Sequence, residues 1–427
     1  MNGVNFLDNA SGRMCCKTGG NGMKMTRWHK ATVQGVVLAG MMTASTVQAV
    51  EWNGIEVTGY GRSGDYASPA GMPRGNYTLG GDMQKFRLGN EGDHGAELGL
   101  GKALEMSGGK KLNLFYMPAT WGGQYSTAQA YVALTGLDFA PEAKVWAGQR
   151  RLRLQEVHVI DRFMLDYGDN LGVGITDYNL GFARLGLGLF SSATVDNNGT
   201  ANNANRLNVD ISNLRVNQGG ALRVLATVVR GNFQTGTQGT GVSLAHTQSD
   251  FLFSGLSNTF YLQTSTGHAA LSGQFRGLGD GVTGGAAQPG VQSWRIADAI
   301  NWQRGAFGGQ ALAGYQSARA EGGNGLITRD ISLGGRVSYA INQNFKLLGE
   351  AGVISRNMDG QPVQRLNKFT FAPTLALAPE FWSRPELRFY ITRSQWNSAA
   401  ALANSAGFGI AGKTSSTIAG IQAEAWW

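Results

Sequence analysis

Cysteine is almost missing from this chain: of 427 residues only Cys15 and Cys16 carry a thiol, and both lie ahead of a predicted cleavage point. Beyond that point no disulfide, thiolate metal site or cysteine nucleophile is available. Charge is scarce as well, at 15% of residues. Residues 1–49 hold five cations and one anion, so of the formal +8 only about +4 remains after them. That mild excess, without a basic stripe or a recognition motif, excludes nucleic acid as a partner. No run of 18 or more apolar residues follows the leader, so no spanning helix is predicted. Long amphipathic helical patterns are absent too, which removes the ordinary soluble helical fold.

What is present begins with an address. Lys24, Arg27 and Lys30 form a basic n-region, residues 31–42 an uncharged h-region, and Val-Gln-Ala at 47–49 a small-residue cleavage site. Residues 1–49 are therefore expected to be an upstream extension plus an export leader that is removed, with the start codon at Met23 or Met25. Residues 50–427 are expected to form a single domain.

Short alternating stretches recur through that domain, bounded by Gly, Asn, Asp and Ser clusters. Leu207, Val209 and Ile211 alternate with Asn208, Asp210 and Ser212; Ile331, Leu333, Val337, Tyr339 and Ile341 alternate with Ser332, Arg336 and Ser338. The last residues do the same, with Ile421, Ala423, Ala425 and Trp427 on one face and Gln422, Glu424 and Trp426 on the other. A strand with one apolar and one polar face, ending in an aromatic girdle residue, suits the wall of a membrane barrel. A closed barrel is also the one way besides helices to cross a bilayer with every backbone group satisfied. The length allows about 16 to 20 strands, a width that leaves an aqueous channel. Polar segments at 194–206, 232–242, 273–290, 319–328 and 397–416 are expected to be long loops. The fold class is thus all-β, a transmembrane antiparallel barrel in the outer membrane of a Gram-negative bacterium, in contact with its lipids.

Parity sorts the aromatic residues. Tyr60 shares its face with Glu56, Thr58 and Arg62, and Trp426 shares its face with Gln422 and Glu424. Trp382 shares parity with Arg384, Glu386, Arg388 and Tyr390, against Leu387, Phe389 and Ile391. All three are predicted to point into the lumen, and Trp427 to lipid. Catalytic patterns are missing: no Gly-x-Ser-x-Gly elbow, no His-Glu-x-x-His helix, and His94, His158, His246 and His268 are scattered. No enzyme activity, cofactor or metal is expected. A siderophore-type transporter would need a plug domain ahead of the first strand, and only about six residues separate the cleavage site from it.

Seven blocks resemble the maltoporin family in the same order: Gly-Tyr-Gly-Arg-Ser-Gly at 59–64, Lys-Phe-Arg-Leu-Gly-Asn-Glu at 85–91, Val-Trp-Ala-Gly-Gln-Arg at 145–150, Val-His-Val-Ile-Asp at 157–161, His-Thr-Gln-Ser at 246–249, Trp-Ser-Arg-Pro at 382–385 and Glu-Ala-Trp-Trp at 424–427. The resemblance implies a homotrimer of 18-stranded barrels, each narrowed by an inward-folded third loop. It also implies a lumen lane of aromatic rings on which saccharides, maltose and maltodextrins above all, stack during facilitated diffusion. Carried over position by position, the lane falls on Tyr60, Trp382, Trp426 and Trp121, the last expected on a loop reaching into the neighbouring subunit. The charged lining falls on Arg62, Arg87, Glu97, Glu156, His158 and Asp161, with Lys85 and Arg87 read as one face of a strand and Phe86 and Leu88 as the other. Phe163 and Arg153 mark the constriction. The chain departs from the family pattern at Gly95, Leu154, Leu256 and Phe163, and the first and third of these are expected to interrupt the aromatic lane. The competing reading is a general diffusion porin with little sugar selectivity.

Overall fold

The computed structural model describes residues 49–427 apart from 70–71, 73–76, 196–200, 233–237, 270–290, 320–324 and 409–411. Residues 1–48 of the predicted leader and the predicted loop 273–290 lie outside these. Eighteen strands, from Ile55–Ala67 to Ser415–Trp426, pair antiparallel with their sequence neighbours. The last closes on the first, with Trp426 opposite Tyr60 and Glu424 opposite Arg62. Closure pairs both edges of the eighteen-stranded sheet with each other. A short strand, Val50–Trp52, forms a hairpin with the start of Ile55–Ala67 through Asn53 and Gly54, whose φ of 49° and 71° suit the tight turn that Asn-Gly favours. Among the described residues no helix is long and apolar enough to cross a membrane.

The alternation read from sequence is the alternation of the wall. Ile331 and Leu333 are more than half exposed on the outside, while Ser332 and Arg336, of the opposite parity, are each 1% exposed. Trp427 lies outside over Gly59, where an added Cβ would come within 2.3 Å of its ring, and Trp426 turns inward. The predicted loop at 194–206 is shorter than expected. Strand Ala201–Asn217 runs through most of it, pairing with Arg184–Val195, because backbone ladders continue past the apolar band where polar side chains suit both faces. In 397–416 two short helices, Ser398–Ala403 and Ser405–Phe408, replace irregular loop.

Three segments turn into the lumen and bury apolar side chains there. The first is 77–91, and it corrects the strand reading of Lys85–Leu88: it is irregular backbone inside the barrel. Phe86 and Leu88, expected on the strand face opposite Lys85 and Arg87, are fully buried. Phe86 fits where Gly334 and Gly352 face each other on adjacent strands; a Cβ on either would meet its ring at 2.4 Å. The Leu88 backbone is clasped from the same wall, its N–H donating to Glu350 at 2.8 Å and its carbonyl accepting from Lys368 at 2.8 Å and Thr370 at 2.9 Å. Farther along, Arg356 donates to the Leu79 carbonyl and Arg295 to Asp82, both at 2.6 Å.

The second inward segment is the tip of the hairpin formed by Lys144–Val157 and Arg162–Asn179, which agrees with the expected third loop. Its buried tip crosses to the opposite strands: Val159 donates to Gln310 at 2.9 Å, and Gln263 donates to the Met164 carbonyl at 2.8 Å. The two segments are joined by Arg87 N–H donating to the Val159 carbonyl at 2.9 Å. The third is the connection 377–385 between Gln364–Ala376 and Glu386–Trp396, which holds Trp382 and the cis Arg384-Pro385 bond. Trp382 is thus on a loop and not on a strand, so strand parity did not govern it.

Candidate functional site

The four aromatic residues singled out by sequence meet in one array. Tyr60 lies between Trp121 and Trp426, at centroid separations of 6.1 and 6.5 Å and interplanar angles of 26° and 15°. Nearly parallel planes at the far end of the offset-stacked range put the rings side by side, as a strip. His158 extends it edge-on, 5.4 Å from Trp426 and 5.5 Å from Trp382. The four aromatic rings belong to partly exposed residues. Guanidinium groups rest on two of them, Arg384 at 4.0 Å over Trp426 and Arg62 at 5.0 Å over Trp121.

Glycine explains how Trp121 joins the strip. It ends strand Lys111–Trp121 just before a two-glycine turn, Gly122 and Gly123, with φ of 57° and 81°. Its ring then lies over Gly95 on the next strand, where a Cβ would come within 2.1 Å of it. Two expectations change here. Trp121 packs within its own chain, not on a loop reaching elsewhere, and Gly95 is the seat of a ring rather than a gap in the lane. Leu256 carries no ring, and it is buried at the start of strand Leu256–Thr266.

Behind the strip lies a charge network that fixes it. The Tyr60 hydroxyl donates to Glu424 at 3.0 Å and accepts from Arg87 at 2.8 Å. Glu424, 1% exposed, also meets Arg87 at 2.9 Å, Arg384 at 3.0 Å and Arg388 at 2.5 Å. Glu91 gathers Arg87, Arg62 and Lys85 at 3.0, 2.9 and 2.6 Å. Each ring nitrogen of His158 faces one arginine and one glutamate: Nδ1 has Arg87 at 3.1 Å and Glu156 at 3.0 Å, Nε2 has Arg384 at 3.3 Å and Glu424 at 3.5 Å. Arg87 and His158 were expected in the channel lining; at 1% exposure each they are underneath it.

Arg62, Glu97, Glu156 and Asp161 are partly exposed beside the rings. Glu97 accepts from Trp121 Nε1 at 3.2 Å and Arg151 at 2.6 Å, and Asp161 meets Lys85 at 2.5 Å and Arg62 at 3.4 Å. Phe163 and Arg153 are half-buried on the inward hairpin, Phe163 opposite Glu156. Sequence reasoning gave no site role to Glu91, Glu424 or Arg384, although all three stand inside the quoted blocks. Among the described residues no cluster suited to a metal ion occurs.

Two loop carboxyls have an electrostatic consequence. Burial alone would push both up, yet Arg87, Lys85 and Arg62 outweigh it and hold Glu91 below, and Asp161 well below, the usual carboxylate range. Folded values lower than unfolded ones mean that their stabilisation is complete above the unfolded values of about 4 and is lost as pH falls through the folded ones. The melting temperature is therefore expected to be flat with respect to these two groups from pH 8 to about pH 5 and to drop only in more acidic buffer. A decline centred near neutral pH that disappears in Asp161→Asn would contradict this.

The model of the LamB porin family matches residues 55–427. Among solved structures, Pseudomonas aeruginosa OccK10 (OpdN) is 9% identical, covering 88% of this chain and 99% of its own at a TM-score of 0.50. A BenF-like porin from Pseudomonas fluorescens Pf-5 is 8% identical over 87% and 99% at 0.49. An anion-selective porin from Comamonas acidovorans is 13% identical over 87% and 100% at 0.44. At 9% identity the likeness to OccK10 (OpdN) is one of fold.

Proposed function

We propose that this chain, which belongs to the LamB porin family, is a channel selective for saccharides, maltose and maltodextrins first among them. Family and fold are those of an outer-membrane porin, a channel rather than an enzyme. The finer reading is carried by one observation: Trp121, Tyr60, Trp426 and, through His158, Trp382 form a continuous strip of partly exposed rings. A ring face is an apolar platform for the C–H face of a pyranose, worth about 0.5–1.5 kcal/mol per contact by analogy with aromatic pairs. Several such weak sites in series let a sugar bind and still leave.

The polar groups beside the strip complete the proposed site. Glu97, Glu156 and Asp161 offer acceptors, and Arg62 and Arg153 offer donors, to the hydroxyls at a sugar's rim. Phe163 narrows the passage without offering a hydroxyl. Arg87 and His158 act from behind, holding Tyr60 and Trp426 in plane. Export after cleavage at Ala49 and assembly as a homotrimer belong to the same reading, the first on the leader pattern and the second on the family.

The test is single-channel conductance of the mature protein in a planar bilayer, titrated with maltose, maltotriose, sucrose and a non-carbohydrate solute of similar size. Saturable current block by sugars alone is the expected result. Steady current at every sugar concentration would reduce the protein to a general diffusion porin.

A further inference from the structure

A second aromatic patch lies on the lumen wall, lower on the strand that ends in Trp121. Phe115 shares Trp121's inward parity, with Leu114 and Tyr116 exposed on the outer face, and sits six residues earlier. That is about 20 Å along the strand, toward the end where strand Ile55–Ala67 begins and strand Ser415–Trp426 finishes. Tyr131, directly opposite on strand Gln124–Thr135, tilts against it at 5.2 Å. Arg150, from the next strand, holds its guanidinium 4.9 Å over Tyr131 and 5.1 Å over Trp146.

Glycines set the posture of these rings as Gly95 does for Trp121. A Cβ at Gly99 would come within 2.9 Å of Phe115, one at Gly148 within 2.8 Å of Tyr131, and one at Gly174 within 2.8 Å of Trp146. The bare backbone at Gly99 and Gly174 thus leaves room for the Phe115 and Trp146 rings against the sheet, and Gly148 leaves room for the base of the Tyr131 side chain. Trp146 is buried as the floor, whereas Phe115, Tyr131 and Arg150 are partly exposed. The wall across the barrel differs: Glu350, Lys368, Thr370 and Arg388 there are at most 3% exposed. An exposed ring face offers an apolar platform to a passing pyranose, and the guanidinium over Tyr131 offers donors to hydroxyls at its rim.

We infer that Phe115, Tyr131 and Arg150 form a second saccharide subsite, separate from the strip at Tyr60 and nearer the end where strand Ile55–Ala67 begins and strand Ser415–Trp426 finishes. The inference rests on the sugar-channel reading. A chain of several sugar units reaches both places, and a disaccharide on the strip reaches only one. Chain length is therefore the readout.

Current block by maltose and by maltohexaose is measured on the full mature protein, on Phe115→Leu, which keeps apolar volume but removes the ring, on Tyr131→Ala, and on Trp426→Ala in parallel. Both Phe115→Leu and Tyr131→Ala should weaken maltohexaose block roughly 2- to 10-fold while leaving maltose block and ion conductance near wild type. If Tyr131→Ala does not insert, Phe115→Leu still decides. Wild-type maltohexaose block in Phe115→Leu, with block weakened in Trp426→Ala, overturns the second subsite and keeps the strip. No block of the unsubstituted protein by either sugar removes both.

Discussion

Glu350→Ala is expected to unfasten segment 77–91 from the barrel wall and raise single-channel conductance. The carboxylate accepts from the Leu88 N–H and pairs with Arg336 at 2.7 Å and Lys368 at 3.2 Å. All three side chains are at most 3% exposed. Removing the anion leaves two cations in a dry environment, and breaking a buried pair this way costs about 3–5 kcal/mol. Those cations can be rehydrated if the covering segment lifts, because Phe86 and Leu88 are clasped by noncovalent contacts alone. The expected observations are a lower melting temperature, larger and noisier conductance, and entry of solutes that the unsubstituted channel excludes. Glu350→Gln keeps the acceptor for Leu88 and should behave between the two. Unchanged conductance and melting in Glu350→Ala would show that the segment is held by Phe86 in its glycine seat and by the Arg295–Asp82 contact instead.

Trp426→Ala is the second large effect, and it falls on sugar binding rather than on the pore. Trp426 is the tile that joins Tyr60 to His158 and Trp382, so its loss divides the strip in two. One lost stacking contact of about 0.5–1.5 kcal/mol corresponds to a roughly 2- to 13-fold weaker sugar block. A longer saccharide spanning the break should lose more than maltose does. Ion current should persist, since neighbouring backbone pairing with Ile55–Ala67 is unaffected by the side chain. Trp382→Ala, at the end of the strip, should show a smaller loss. Sugar block equal to wild type in both variants would sink stacking as the mechanism.

How far the sequence carried differs from segment to segment. Strand alternation at 331–341 and the opposed pair Trp426 and Trp427 could be read directly, because a wall between lipid and water imposes a two-residue period on side-chain polarity. The same rule misled at Lys85–Leu88, where cations and apolar residues also alternate. There Phe86 enters a glycine seat on the opposite wall, Leu88 is buried beside it in sequence, and the cations reach Glu91 and Asp161. Alternation reports two environments without saying which they are. Gly95 looked like a missing ring and proved to be space for one, since its occupant comes from a strand more than twenty residues later in the chain.

The sequence by itself determined the class of molecule: an exported chain without spanning helices, whose short two-faced strands have to close because a bilayer leaves no backbone group unpaired. It also gave the facing of the strand aromatics Tyr60 and Trp426 through their parity. The tertiary structure decided what those residues do together. Only closure of the last strand on the first sets Tyr60 beside Trp426, and only the inward hairpin sets His158 between Trp426 and Trp382. Likewise, only the folding of 77–91 across the barrel buries Arg87 and Glu91 behind the strip. These contacts join residues up to several hundred positions apart, and a local period cannot encode them.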